Sequence, residues 1–156
     1  MYSVCKLQKW NVVGLWKVSE ILSKCGKDMV QTQELHHWDN VRLKWWVIMM
    51  LCTLKNDIYL VYKRKTAVAT FQIRKQGKVQ LFQKLATLPD YSGSGIGTFC
   101  LNEIERIGKE AGCLEVICEV YDKSRHAINF YERRGYLVYG TEETLKYTEL
   151  KMAKKL

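Results

Sequence analysis

An α+β domain, a mixed sheet with helices on its faces, is what the sequence predicts, and three observations carry the prediction. Strand-like and helical segments follow one another in the order β-α-α-β-β-β-α-β-α-β-β. Three strand-like runs between Ile58 and Thr87 are separated only by short turns, which reads as an antiparallel meander. A glycine-rich turn, Pro89-Asp90-Tyr91-Ser92-Gly93-Ser94-Gly95-Ile96-Gly97-Thr98, then joins a strand to a helix.

The elements are justified in order. Tyr2 to Trp10 alternates weakly and reads as a first strand. Asn11 offers a side-chain acceptor to a helix N-terminus, and Val12, Leu15, Trp16, Leu22 and Cys25 form a helical stripe that Gly26 is expected to end. Lys27 to Trp38 fits a short helix or a surface crossing equally. Asp39 can cap a second helix over Asn40 to Leu54, where the apolar run is too continuous for its period to decide and length decides for helix. Ile58–Lys63 and Thr66–Arg74 meet at Arg64-Lys65, and Lys75-Gln76-Gly77 leads into Lys78–Thr87. In the helix expected over Phe99 to Ala111, Ile96, Cys100, Ile104, Ile107 and Ala111 share a face, Asn102, Glu103, Glu105, Arg106, Lys109 and Glu110 occupy the other, and Gly112 is the stop. Leu114 to Tyr121 is a strand with Leu114, Val116, Cys118 and Val120 on one face and Glu115, Ile117, Glu119 and Tyr121 on the other. Ser124 can cap a short helix over Arg125 to Arg134, Gly135 stops it, and strands at Tyr136–Gly140 and Leu145–Met152 precede a frayed tail, Ala153 to Leu156.

A chain of 156 residues that is 47% hydrophobic fills one domain, residues 1–156, and is short for two. The longest apolar run, Trp45 to Leu54, is far below the roughly 20 residues needed to cross a bilayer. The opening Met1 to Lys6 lacks the apolar core of a signal peptide. A cytoplasmic location and no membrane partner are therefore expected. The six cysteines make no Cys-x-x-Cys pair and have no histidine at ligand spacing, so neither a metal site nor a disulfide framework is expected. A net charge of +9 favours an anionic partner, with nucleic acid one candidate and a plain solvated surface the other reading.

The glycine turn carries the chemistry. Glycines at alternate positions turn the backbone sharply and point successive N–H groups at one place, where the following helix adds the positive end of its dipole. That suits a phosphate. A dinucleotide turn would need Gly-x-Gly-x-x-Gly and a triphosphate loop Gly-Lys-Ser/Thr, and neither is present. The run instead resembles motif A of the GCN5-related N-acetyltransferase (GNAT) family, Pro-x-x-Arg/Gln-Gly-x-Gly-Ile-Gly/Ala, through Pro89, Gly93, Gly95, Ile96 and Gly97, with Ser92 in place of the long polar residue. A second block, Ala127 to Tyr136, is similar to that family's Asn-x-x-Ala-x-x-Phe-Tyr-x-x-x-Gly-Phe, with Ser124 at the asparagine position.

The resemblance implies an acyl-CoA N-acyltransferase fold, its mixed sheet splayed at strand four, and acetyl-CoA as co-substrate. It implies that backbone groups of Leu85, Ala86 and Thr87 pair with the pantetheine arm as an added strand. It places the pyrophosphate on N–H groups from Ser92 to Thr98, that is Ser92, Gly93, Ser94, Gly95, Ile96, Gly97 and Thr98, with Ser124 and Phe130 as further coenzyme contacts. Tyr131 then stands where the family's tyrosine protonates the departing thiolate, and Glu119 where some members carry a base for the amine. A water chain is the other route for that proton, and Asp122 and His126 are reserves. No residue is implied as a metal ligand. The activity implied is direct transfer of an acetyl group, through a tetrahedral intermediate, to a primary amine on a small molecule, peptide or protein. The Ser92 and Ser124 departures leave a second reading, a catalytically weak acetyl-CoA-binding module, and the charge a third, an acetyltransferase acting on tRNA or ribosomal targets. The tryptophans at 10, 16, 38, 45 and 46 form either a core under the sheet or the wall of an acceptor pocket. A monomer and a homodimer both fit.

Overall fold

The computed structural model describes residues 1–156. Four α-helices, one short 3₁₀ turn and seven strands follow one another as β1 (Tyr2–Lys6), α1 (Val12–Gln33), α2 (Arg42–Cys52), β2 (Asp57–Lys63), β3 (Thr66–Gln76), β4 (Val79–Thr87), the 3₁₀ turn Pro89–Tyr91, α3 (Ile96–Glu110), β5 (Glu115–Tyr121), α4 (Arg125–Glu132), β6 (Leu137–Glu143) and β7 (Thr148–Lys155). The strands form one mixed sheet in the order β1-β2-β3-β4-β5-β7-β6. β4 and β5 are parallel from Val79↔Glu115 to Leu81↔Ile117, whereas β1–β2, β2–β3, β5–β7 and β6–β7 are antiparallel.

The chain divides into two compact units, one of residues 1–74 and 84–103, the other of residues 75–83 and 104–156. In the first, Leu15, Val18, Ile21, Leu22 and Cys25 of α1 pack with Trp45 and Met49 of α2 and with Ile58, Leu60 and Ala86. Burial of such side chains contributes about 1.5–3 kcal/mol each. Of the five tryptophans Trp45 is buried in this cluster, Trp38 and Trp46 are partly buried and pack against it, and Trp10 and Trp16 are exposed, so the expected tryptophan core is three rings of five. In the second unit, Phe82, Tyr131 and Tyr136 meet edge-on or tilted at 5.6–6.0 Å between centroids. Beside them the Tyr136 hydroxyl donates to Glu105 Oε1 at 3.2 Å, and Lys154 Nζ lies 2.9 Å from both carboxylate oxygens of Glu105.

Asn11 caps α1 as expected, its Oδ1 accepting from Gly14 N–H at 2.8 Å, but α1 does not stop at Gly26. A Cβ on Gly26 would stand 2.1 Å from the Trp38 carbonyl oxygen, so this glycine permits a close approach inside the helix and ends nothing. α1 runs on through Gln33 and is closed by Glu34 in the left-handed conformation, φ 55°. Asp39 does not cap α2: the N-cap is Val41, with no side-chain hydrogen bond, and Asp39 instead faces His36 at 3.7 Å. β1 ends at Lys6, short of Trp10. Leu114 is exposed and precedes β5. The tail expected to fray is part of β7: Ala153 pairs with Ile117 and Leu137, and Leu156 N–H donates to the Leu114 carbonyl at 2.9 Å.

Candidate functional site

The glycine turn belongs to the first unit. Pro89, with its fixed φ, starts the 3₁₀ turn, and the amides of Ser92 and Ser94 turn back to the carbonyls of Pro89 (2.9 Å) and Tyr91 (3.3 Å). Two of the amides expected to meet a phosphate are therefore occupied by the turn itself. Gly93 (φ 73°) and Gly95 (φ 82°) take the left-handed conformation, with nothing within 4 Å of the position a Cβ would fill. α3 begins three residues earlier than expected, at Ile96, so Gly97 and Thr98 lie in its first turn. Its first intrahelical bond runs from Phe99 N–H to the Gly95 carbonyl at 3.0 Å. The preceding amides of the helix, Ile96 and Gly97, have no carbonyl one turn back. The first turn carries no acidic side chain to oppose an anion. An exposed, open-walled glycine turn that leads into unsatisfied helix amides fits a diphosphate, the group through which coenzyme A would be held.

Residues distant in sequence shape this turn. The Tyr2 hydroxyl donates to the Ser94 carbonyl at 3.3 Å and its ring lies 5.3 Å from Phe99, while Lys63 Nζ sits 5.4 Å from the Tyr91 ring centroid. On β4, Lys84 has φ 51°, a left-handed residue inside a strand. Beyond it come Leu85, Ala86 and Thr87. Ala86 is buried, and the Thr87 carbonyl accepts from Cys25 Sγ at 3.0 Å. Burial pushes the Cys25 thiol up to about 12, which keeps it a donor. Tyr2 and Lys84 were not singled out by the sequence, and Cys25 only as part of the α1 stripe. A lone tyrosine or lysine carries no periodic signal, and only the fold sets these three beside the turn and the strand end.

The second unit carries Glu119, Ser124, Phe130 and Tyr131. Tyr131 is buried on α4, its ring 5.3 Å from Phe130 and 5.6 Å from Phe82. Arg134 covers the Phe130 ring at 3.8 Å and donates from Nη1 to the Phe130 carbonyl at 2.9 Å. Ser124 stands at the N-cap of α4 and is buried, but its hydroxyl makes no capping hydrogen bond, against expectation. What stabilises the helix start is the backbone, with Ile128 N–H donating to the Ser124 carbonyl at 3.0 Å. Glu119 is exposed on β5, opposite Lys151 of β7. Lys151 Nζ lies 2.6 Å from Glu142, and its ammonium is held above the ordinary lysine range, first by the hydrogen bond to Glu142, with Glu119 adding a smaller pull. Glu119 thus belongs to an ionic group with Lys151 and Glu142. His126 is exposed and Asp122 half-buried.

Four of the six cysteines, Cys25, Cys100, Cys113 and Cys118, are buried as small apolar residues. No three His, Cys, Asp or Glu side chains gather into a group that could hold a metal ion.

The family model of the Acetyltransferase (GNAT) family matches residues 15–136. No curated protein sequence matches the chain. Among solved structures, the PaiA N-acetyltransferase of Thermoplasma acidophilum in complex with coenzyme A is 18% identical with a TM-score of 0.79, covering 100% of this chain and 99% of that one. The ribosomal-protein-S18-alanine N-acetyltransferase of Escherichia coli is 15% identical, with a TM-score of 0.76 over 99% and 94% of the two chains. A GNAT family acetyltransferase of Elizabethkingia anophelis with acetyl-CoA bound is 8% identical, with a TM-score of 0.75 over 99% and 98%. At these identities the structural likeness speaks for the fold, an acyl-CoA N-acyltransferase fold, and the family model speaks for descent. The chain belongs to the Acetyltransferase (GNAT) family and is an acyltransferase.

Proposed function

We propose that residues 1–156 act as a single N-acetyltransferase domain, cytoplasmic, that moves an acetyl group from acetyl-CoA directly to a primary amine of a small molecule, peptide or protein. The observation that carries the reading is the turn at Gly93 to Gly97, where left-handed glycines lead straight into unsatisfied helix amides. Two similar structures hold coenzyme A or acetyl-CoA, which supports the same co-substrate here. Acetyl-CoA supplies the activated acyl group as a thioester.

The chain's own residues supply position and protons. Ile96 and Gly97 amides hold the diphosphate, and the backbone of Leu85 and Ala86 pairs with the pantetheine arm. Thr87, whose carbonyl also accepts from Cys25 Sγ, continues that pairing. Tyr131 carries the phenolic O–H that can donate to the departing thiolate. Aromatic rings on several sides fix its ring and exclude water from it. An alkylamine acceptor is mostly protonated at neutral pH, so its proton must leave first. Exposed Glu119, beside Lys151, takes that proton directly or through water. Holding amine and thioester in register supplies up to about 7–11 kcal/mol in favourable cases.

Thiol release from acetyl-CoA across small amines, peptides and antibiotics tests the reading. Tyr131→Phe is expected to lower kcat about 10²-fold with a smaller change in the KM for acetyl-CoA, and Glu119→Gln to lower kcat at neutral pH more than at pH above the amine's own pKa. Tight coenzyme binding with no transfer to any amine would instead favour a binding module. The net charge of +9 favours a second acceptor class, tRNA or a ribosomal target, which predicts RNA affinity that falls steeply as salt rises.

A further inference from the structure

The outer face of α1 and α2 is apolar and uncovered. Val12, Val13 and Trp16 of α1 and Leu43, Val47 and Leu51 of α2 are each between 40% and 70% exposed. On α2 these side chains recur every fourth residue, the spacing of one helical stripe, while Trp45 and Met49 turn the opposite way into the core. Val12, Val13, Trp16, Leu43 and Trp46 line a groove of about 270 Å³ with no polar wall. The two helices are tied together across it: Trp46 Nε1 donates to the Val12 carbonyl at 3.4 Å, Arg42 Nη2 to the Trp16 carbonyl at 3.0 Å, and the Trp16 and Trp46 rings meet edge-on at 6.1 Å. The patch is thus a built surface whose exposed aliphatic side chains interior packing does not use, Trp46 alone of its lining also packing against the core cluster. Single exposed apolar residues need no explanation, but a contiguous patch marks an interaction.

Its charges say with what. Residues 1–19 carry Lys6, Lys9 and Lys17, and residues 40–56 carry Arg42, Lys44 and Lys55, with no Asp or Glu in either stretch; Lys6 is taken up by Asp57 at 2.8 Å, which leaves Lys9, Lys17, Lys44 and Lys55 as the cations without a carboxylate partner among these ion pairs. The first acid along α1, Glu20, is taken up by Lys24 at 2.8 Å and Arg42 at 3.1 Å. Lys9, Lys17, Lys44 and Lys55 are exposed. Aliphatic side chains that want to leave water, tryptophans with an apolar body and a polar edge, and bordering cations of one sign are the three features that place a helix in the interface of an anionic bilayer. Nucleic acid would meet the lysines but leave the aliphatic stripe in water. A protein partner would find no hydrogen-bonding group in the groove to set its register. No helix is long and apolar enough to cross a membrane, so the contact lies on the surface.

We infer that the α1–α2 face is a docking surface for anionic lipid, which holds the protein peripherally on a membrane. The expectation of no membrane partner rested on the length of the apolar run, which excludes spanning and leaves surface contact open.

The full chain is sedimented with vesicles of phosphatidylcholine alone and of phosphatidylcholine mixed with phosphatidylglycerol, and tryptophan emission is followed with brominated lipid. Expected are binding to the mixed vesicles that salt weakens, little binding to the neutral ones, and quenching of the exposed tryptophans. Lys44→Glu and the double change Val47→Ser, Leu51→Ser are each expected to weaken partitioning about tenfold or more. These side chains are exposed, and unchanged coenzyme affinity and far-UV circular dichroism report that a variant still folds. Should the double variant fail that control, Leu43→Ser replaces it. Failure to bind mixed vesicles, or binding that the variants leave undiminished, overturns the inference. So does a dimer in sedimentation velocity that the same variants dissociate while vesicles bind nothing, since the face then serves a second copy.

Discussion

Tyr131 has Phe82, Phe130 and Tyr136 around its ring, and a phenol so confined keeps one orientation. The acid role proposed for Tyr131 rests on that fixity. Glu119 contrasts with it: exposed, beside Lys151, it is suited to passing a proton to solvent. His37 is the residue whose titration reports on the fold. Burial, and then the nearby Lys84 ammonium, hold its imidazole down to about 4, against an ordinary 6.5. As pH falls, the unfolded chain takes up this proton before the folded one does. The stability tied to His37 is therefore full above pH 6.5 and is lost as pH drops toward 4. Urea midpoints measured across that range are expected to fall less steeply in His37→Gln than in the parent, and parallel curves would contradict the assignment.

Elements were legible where period and punctuation agreed. The β2–β3 hairpin turns at Arg64-Lys65 as read, with Arg64 at φ 57°. The α3 stripe appears as buried Ile96, Cys100 and Ile104. Elements were misread where one residue type serves two purposes. Gly26 looked like a helix stop because glycine usually is one; its reason is the Trp38 carbonyl, a contact 12 residues away that no local rule contains. Glycine to alanine inside a helix ordinarily stabilises by about 1 kcal/mol. At Gly26 the added methyl would overlap backbone, so Gly26→Ala is expected to destabilise by about 1–3 kcal/mol in urea unfolding. A neutral or stabilising result would mean that the close approach is absent. The early start of α3 was missed for a similar reason. Gly97 was counted as loop, yet a glycine in the first turn keeps the backbone open to a ligand at little cost to the helix. Ser124, read as a cap from its type and position, makes no capping bond, although its carbonyl accepts from the Ile128 amide as at any helix start.

At the scale of the molecule, the two compact units share continuous elements, since β3, β4 and α3 each run from one into the other. Elements that cannot unfold by halves without breaking their own hydrogen bonds favour a single cooperative transition. Urea unfolding followed by tryptophan fluorescence, which reports the first unit where all five tryptophans lie, and by amide exchange in β5 and β7 of the second, is expected to give coincident midpoints. Separate midpoints would contradict the single-domain reading. The motif-bearing third of the chain, Leu85 to Tyr136, disclosed the fold and the glycine turn because backbone geometry there leaves its mark in glycines and in the single proline, Pro89. The acceptor side left no such mark, since side chains that shape a pocket answer to the substrate and to no backbone rule.

The central claim is that the amides at the glycine turn receive a diphosphate. Titrating ¹⁵N-labelled protein with acetyl-CoA and following backbone amide resonances tests it residue by residue. The amides of Gly93, Gly95, Ile96 and Gly97 are expected to shift most, and Ser92 and Ser94, already bonded within the turn, to shift less. Saturable binding that leaves those four resonances in place while amides elsewhere move would contradict the account.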